Sequence, residues 1–126
     1  MSNSIIPDLI GAARDAHSDK RRFHRMGSTF LRQIARHLGL PKTSYEIRSN
    51  KGGPAVPGEI TLHGENIYIQ VHERSILFRR CYGRHDYTGN TNNNLSFHRL
   101  ESMPIPEAAR LLYAPAAQRS TRMRAA

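Results

Sequence analysis

Two amphipathic helical patterns followed by short segments of strict alternation predict an α+β fold: an antiparallel meander sheet of three to five strands, N-terminal helices packed on one face, and a short C-terminal helix. Two observations carry this. Apolar residues recur at steps of three and four between Asp19 and Leu38, and after Pro41 the period changes to two. A length of 126 residues suits one domain, assigned to 1–113, with a basic tail at 114–126.

The elements follow in order. Ile5, Ile6, Leu9, Ile10 and Ala13 fall at helical spacing between Ser4 and His17, and Pro7 and Asp8 suit a first turn. A longer helix is expected from Asp19 to Leu38, where Phe23, Met26, Phe30, Leu31, Ile34 and Leu38 form the apolar stripe; Gly39 and Pro41 end it. Tyr45 to Arg48 is a candidate strand, and Asn50 to Gly58 is too rich in Gly and Pro for a regular element. Ile60 and Leu62 then alternate with Glu59, Thr61 and His63. After a turn at Gly64-Glu65-Asn66, Ile67, Ile69 and Val71 alternate with Tyr68, Gln70 and His72, which makes a hairpin. A turn at Glu73 to Ser75 leads into a third strand, Ile76 to Tyr82. The outer face of this meander would be Thr61, His63, Tyr68, Gln70 and His72. Leu95 to Leu100 suggests another strand, with Leu95 and Phe97 on one face. Pro106 to Tyr113 suggests a brief helix that turns Ala109, Leu112 and Tyr113 to the core and stops at Pro115. The tail, with Arg119, Arg122 and Arg124, has too few apolar residues to pack and is expected to be a mobile basic extension.

Charge points to the partner. Nineteen Lys and Arg against ten Asp and Glu give a formal net charge of +9, and Arg far outnumbers Lys. Guanidinium groups meet phosphate through a planar, bidentate fork, so nucleic acid, RNA or DNA, is the expected partner. On the second helix Arg21, Arg25, Arg32 and Arg36 fall within about 60° of one another at 100° per residue, a basic stripe opposite the apolar one. No Glu is interleaved among them, so their repulsion is uncompensated. The segment from Arg79 to Asn94 is the most unusual stretch of the chain. Arg79, Arg80 and Arg84 are candidates for phosphate contact, with Tyr82, His85, Tyr87 and, on the sheet, Tyr68 as base contacts, and the asparagines suit base edges. The competing reading is a solvated helix face and an Asn- and Gly-rich turn.

Binding is favoured over catalysis, because no stretch spells out a catalytic motif. The catalytic alternative is a metal-independent ribonuclease, with His63, His72 and His85 as acid and base, Glu59 or Glu65 nearby, and Arg79 or Arg84 as phosphate clamp. No CxxC or HExxH pattern occurs, so no metal site and no cofactor are expected, and Asn50-Lys51-Gly52-Gly53 does not match a P-loop. Cys81, the single cysteine, has no intramolecular disulfide partner and falls in a strand pattern. The first ten residues lack the character of a signal peptide and no apolar run reaches membrane-spanning length, so a cytoplasmic protein without membrane contact is expected.

Lys51-Gly52-Gly53 followed by Gly58-Glu59, and Gly83-Arg84-His85-Asp86-Tyr87-Thr88-Gly89 with Asn92-Asn93, loosely resemble small uncharacterised accessory proteins of phages, plasmids and related mobile elements, over about a third of the chain. No activity comes with the likeness. It implies a competitor to direct nucleic-acid binding: an anti-CRISPR-like inhibitor of a host defence or nucleic-acid-processing protein, whose positive surface docks on an acidic or nucleic-acid-binding host protein. The expectation from the residues is a noncatalytic nucleic-acid-binding accessory protein that uses the Arg-rich helix face and the Arg/Tyr/Asn-rich loop.

Overall fold

The computed structural model describes residues 4–79 and 93–113. The chain folds as α+β: helices α1 (Ile6–Arg14) and α2 (Lys20–His37), a single 3₁₀ turn at Lys42–Ser44, strands β1 (Tyr45–Asn50), β2 (Glu59–Gly64), β3 (Tyr68–Val71), β4 (Ser75–Arg79) and β5 (Asn93–Ser96), a one-turn helix α3 (Phe97–Leu100), and a helix α4 over 105–113. The five strands lie in sequence order and every neighbouring pair is antiparallel, so the sheet is a plain meander. None of the described helices is long and apolar enough to cross a membrane.

The ends of α2 are where the sequence pattern places them, for identifiable reasons. Asp19 caps the first turn by accepting from the Arg22 backbone N–H at 3.2 Å. At the other end Gly39 takes a left-handed φ of 70°, the Leu40 N–H returns to the Ala35 carbonyl and the Gly39 N–H to that of Arg36. This is a Schellman closure, and it satisfies carbonyls the helix would otherwise leave open. The apolar stripe then buries Phe23, Phe30, Leu31, Ile34 and Ala35 against the sheet and α1.

Register aligns the apolar rows. Ile47, Leu62, Ile69 and Phe78 form one row across β1 to β4, and Ile60, Val71, Ile76 and Leu95 a second across β2 to β5, all on the face that carries the helices. Ala108, Ala109 and Leu112 of α4 close the same core. Gly27 is the point of closest approach between the layers: a Cβ there would stand 2.6 Å from Cδ1 of Ile60. A mid-helix glycine costs about 1 kcal/mol against alanine, and its use here lets α2 settle directly on β2.

The loop between β1 and β2, rich in Gly and Pro, is tied to α2. His24, only 3% exposed, places Nε2 2.7 Å from the Pro57 carbonyl and Nδ1 2.6 Å from Ser49 Oγ. A carbonyl only accepts, so Nε2 carries the proton, and in the neutral ring Nδ1 accepts from the Ser49 hydroxyl. Lys20 Nζ donates to the Gly53 carbonyl at 2.9 Å. Gly52 and Gly58 turn the chain at φ values of 64° and 77°.

Three sequence expectations are corrected. The segment from Leu95 to Leu100 is not one strand: β5 ends at Ser96, whose side chain accepts from the Arg99 N–H at 3.2 Å and starts α3. The Leu95/Phe97 alternation imitates a strand, while the Ser cap three residues before Arg99 ends it. Thr61, expected on a solvated outer face, is buried at 6% exposure. Asn93 and Asn94, taken as loop residues, pair with Phe78 and Leu77 in the sheet. The end of the expected third strand, with Cys81, and the tail at 114–126 lie outside the described residues.

Gly58→Ala is expected to lower the free energy of unfolding by at least about 2 kcal/mol, because the left-handed conformation costs a side chain about 1–2 kcal/mol and the new Cβ would meet the Asn50 carbonyl oxygen. Gly53→Ala, with open space around it, should change stability by less than about 0.5 kcal/mol in the same urea titration. His24→Leu removes the donor to Pro57 and the partner of Ser49, so a loss of about 2–3 kcal/mol is expected from stranded polar groups. Limited proteolysis between Gly52 and Gly58 should rise with it.

Candidate nucleic-acid surfaces

The candidate residues fall on two surfaces, not one. Arg21, Arg25, Arg32 and Arg36 are all exposed on the side of α2 away from the sheet. Among the described residues none of the four takes part in an ion pair. From Arg21 to Arg36 the stripe runs about 22 Å at 1.5 Å per residue. The neighbouring Arg22 is less available, since it lies 3.9 Å from the Asp15 carboxylate. The first turn of α2 holds Lys20, Arg21 and Arg22 and no acidic residue, although the positive end of the helix dipole lies there. Only Asp19 at the cap and Asp15, beside Arg22, oppose that accumulation among the described residues. The result is a cationic ridge at the N-terminal end that continues along the helix.

The second surface is the sheet face opposite the helices. Glu46, His63, Tyr68 and Arg79 form one row across β1 to β4, each the register partner of the next. Arg48, Thr61, Gln70, Leu77 and Asn94 form the adjoining row across all five strands. Tyr68 lies between two partners. His63 meets it edge-on with ring centroids 5.3 Å apart, and the Arg79 guanidinium sits 4.6 Å above the ring centre. One face of the phenol is therefore occupied, so Tyr68 supports Arg79 more than it offers an open stacking platform. The Arg79 Nε is buried with no hydrogen-bond partner. Arg48 Nη2 lies 3.2 Å from Glu46 Oε1, with both side chains more than half exposed. Together Glu46, Arg48, Asn50, Thr61, His63 and Tyr68 line a polar concavity of about 120 Å³.

Several expected site residues are not brought together. His72, at the end of β3, lies four positions along the strand from Tyr68, the partner of His63, so the two imidazoles are about 13 Å apart along the sheet at 3.3 Å per residue. The expected His63–His72 acid–base pair is therefore not assembled. Glu65 is in the exposed turn after β2. Arg80, Tyr82, Arg84, His85 and Tyr87 lie outside the described residues, although the chain enters that stretch directly from Arg79 at the edge of the row. Among the described residues no group of His, Cys, Asp and Glu could hold a metal ion.

Glu46 and Arg48 were not singled out by the sequence pattern. Their signal was the alternation of β1, but only the pairing of Glu46 with His63 shows which residues share the row. Compared with known families, curated proteins and solved structures, the chain matches none. Its surfaces are accordingly read from their own geometry.

The stacked Arg79–Tyr68 pair is testable by a double-mutant cycle. Tyr68→Leu and Arg79→Met, singly and together, should reveal a coupling of about 0.5–2 kcal/mol in urea unfolding, and Tyr68→Phe, which keeps the ring, should preserve most of it.

Proposed function

We propose that this protein binds nucleic acid through the outer face of α2. The observation that carries the proposal is the set of four exposed guanidinium groups, Arg21, Arg25, Arg32 and Arg36, on one helix face without an ion pair among the described residues. Surface arginines are ordinarily balanced by nearby carboxylates at three- and four-residue spacing. Here the first turn adds more positive charge where the helix dipole already disfavours it. Phosphates arriving along the ridge would relieve both costs, and their condensed counterions would be released to solvent. The net charge of +9 favours the encounter with any polyanion, while the placement on a packed helix gives the contact a defined footprint.

The test is binding of labelled single-stranded RNA, single-stranded DNA and duplex DNA at two salt concentrations. The wild-type affinity should fall steeply with salt, by a slope of about 0.7–0.9 in log K per log salt for each phosphate contact. Replacing Arg21, Arg25, Arg32 and Arg36 by Ala should reduce that slope by about 3 and weaken every probe, since phosphate contacts carry no sequence information. Alanine is the best helix former, so the circular dichroism of the variant should match the wild type. Equal binding by the variant, or no binding at low salt, would overturn the proposal and direct the search to protein partners.

A further inference from the structure

The β1 strand stands at one edge of the sheet, with β2 as its strand neighbour. Which of its backbone groups look outward follows from the ladder. The Gly64 N–H donates to the Ile67 carbonyl at 2.9 Å, so Gly64, Leu62 and Ile60 exchange hydrogen bonds with β3, and the alternation of an antiparallel strand turns Glu59, Thr61 and His63 towards β1. Their register partners Asn50, Arg48 and Glu46 therefore bond to β2. Ile47 and Ser49, at the alternate positions, direct N–H and C=O away from the sheet. Among the described residues no hydrogen bond outside the β1–β2 ladder reaches either backbone. Edges of this kind are ordinarily blunted by lysine, proline, a bulge or brevity. β1 has none of these: its six residues keep unbroken register with β2, and His24 holds the Ser49 side chain at 2.6 Å.

The side chains beside Ile47 narrow the choice of partner. Glu46 and Arg48 flank it on the outer face with opposite charge, 58% and 63% exposed. A second β1 laid antiparallel about a two-fold axis through Ile47 sets Ile47 against Ile47, Glu46 against Arg48 and Arg48 against Glu46. Outward-facing groups must meet outward-facing groups, so the axis can only pass through a residue. At Glu46 it opposes two carboxylates and at Arg48 two guanidinium groups, directly and at the closer, non-hydrogen-bonded spacing of about 4.5 Å. Of these three central axes only the one through Ile47 pairs unlike charges.

We propose that this protein forms a homodimer by pairing β1 with β1 of a second copy, which joins five strands from each chain into one continuous antiparallel sheet. The Ile47 N–H and C=O bond to the same groups of the second copy, and Glu46 and Arg48 of the two chains form a square of alternating charge. The helices of both copies lie on one face. Because α2 rests on β2, the two α2 helices stand three strand spacings apart, about 14 Å, which exceeds the 8–10 Å of packed helices and leaves room for both sets of side chains. The net charge of +9 per chain opposes association. At 0.15 M salt that long-range repulsion is screened over about 8 Å, whereas the charges of the square are in contact.

The dimer does not depend on nucleic-acid binding, so it is tested with full-length protein freed of nucleic acid. Analytical ultracentrifugation runs from about 1 μM to about 1 mM at 0.15 M salt, the range suited to an interface smaller than the standard size. The mass should rise from 14.3 kDa toward twice that value, and the Ile47 amide should exchange more slowly with solvent at the high concentration than at the low one. Glu46→Arg and Arg48→Glu should each weaken the dimer at least about tenfold. The double variant E46R/R48E restores unlike pairs and should recover the dimer to within about threefold. An equimolar mixture of the two single variants should form heterodimers, because one then carries two cations and the other two carboxylates at the paired positions. A single-chain mass throughout the range, an Ile47 amide indifferent to concentration, or a dimer that both single variants retain overturns the proposal. None of these outcomes bears on binding through α2.

Discussion

Gly27 lets α2 descend onto Ile60 at a separation that a side chain at that position would not allow, and the placement of both candidate surfaces follows from this contact. With the helix seated there, its apolar arc from Phe30 to Ala35 is buried, and the arginines opposite that arc have nowhere to point but solvent. The same contact covers one face of β1 and β2, so Glu46, Arg48 and His63, at the alternate positions, are left on the other. A helix that stood farther off would expose apolar area on both layers, at about 25 cal/mol for each Å² uncovered. The close approach is thus a condition for the core and for the geometry of the surface chemistry.

His24 extends the control of α2 to the loop between β1 and β2. Its two ring nitrogens reach Ser49 on β1 and Pro57 at the end of the loop, and so fix the hairpin at both sides of the Gly/Pro segment. A buried imidazole with both nitrogens engaged is a structural bracket with fixed orientation. It holds β1 in register with β2, and that register is what sets Glu46 beside His63. A slip of one residue would send Glu46 to the core face and bring Tyr45 or Ile47 out in its place.

Much of this was legible in the residues, and the misses have physical causes. The α2 stripe, its cap at Asp19 and its stop at Gly39 are local signals, written within one turn of the places where they act. The alternation of Ile60, Leu62, Ile69, Val71 and Ile76 fixes which side chains face the core, since only one face can meet the helices. By contrast, the Glu46–His63 pairing depends on hydrogen-bond register between segments joined by a loop from Lys51 to Gly58, which no local pattern encodes. His24 carries no local signal, because a polar residue beside Phe23 interrupts an apolar stripe without altering its period. Ser96 was hidden by the accidental alternation of Leu95 and Phe97, where a capping side chain outweighs two apolar neighbours.

The two surfaces also differ in how their positive charge is held. A continuous positive ridge binds through many salt-sensitive contacts of similar strength, none of which distinguishes one phosphate from the next. On the sheet the arrangement is different: the guanidinium groups of the outer face are each already constrained, Arg48 by Glu46 and Arg79 by Tyr68. The helix ridge and the sheet row lie on opposite sides of the core, and the Gly27–Ile60 contact fixes the layers between them.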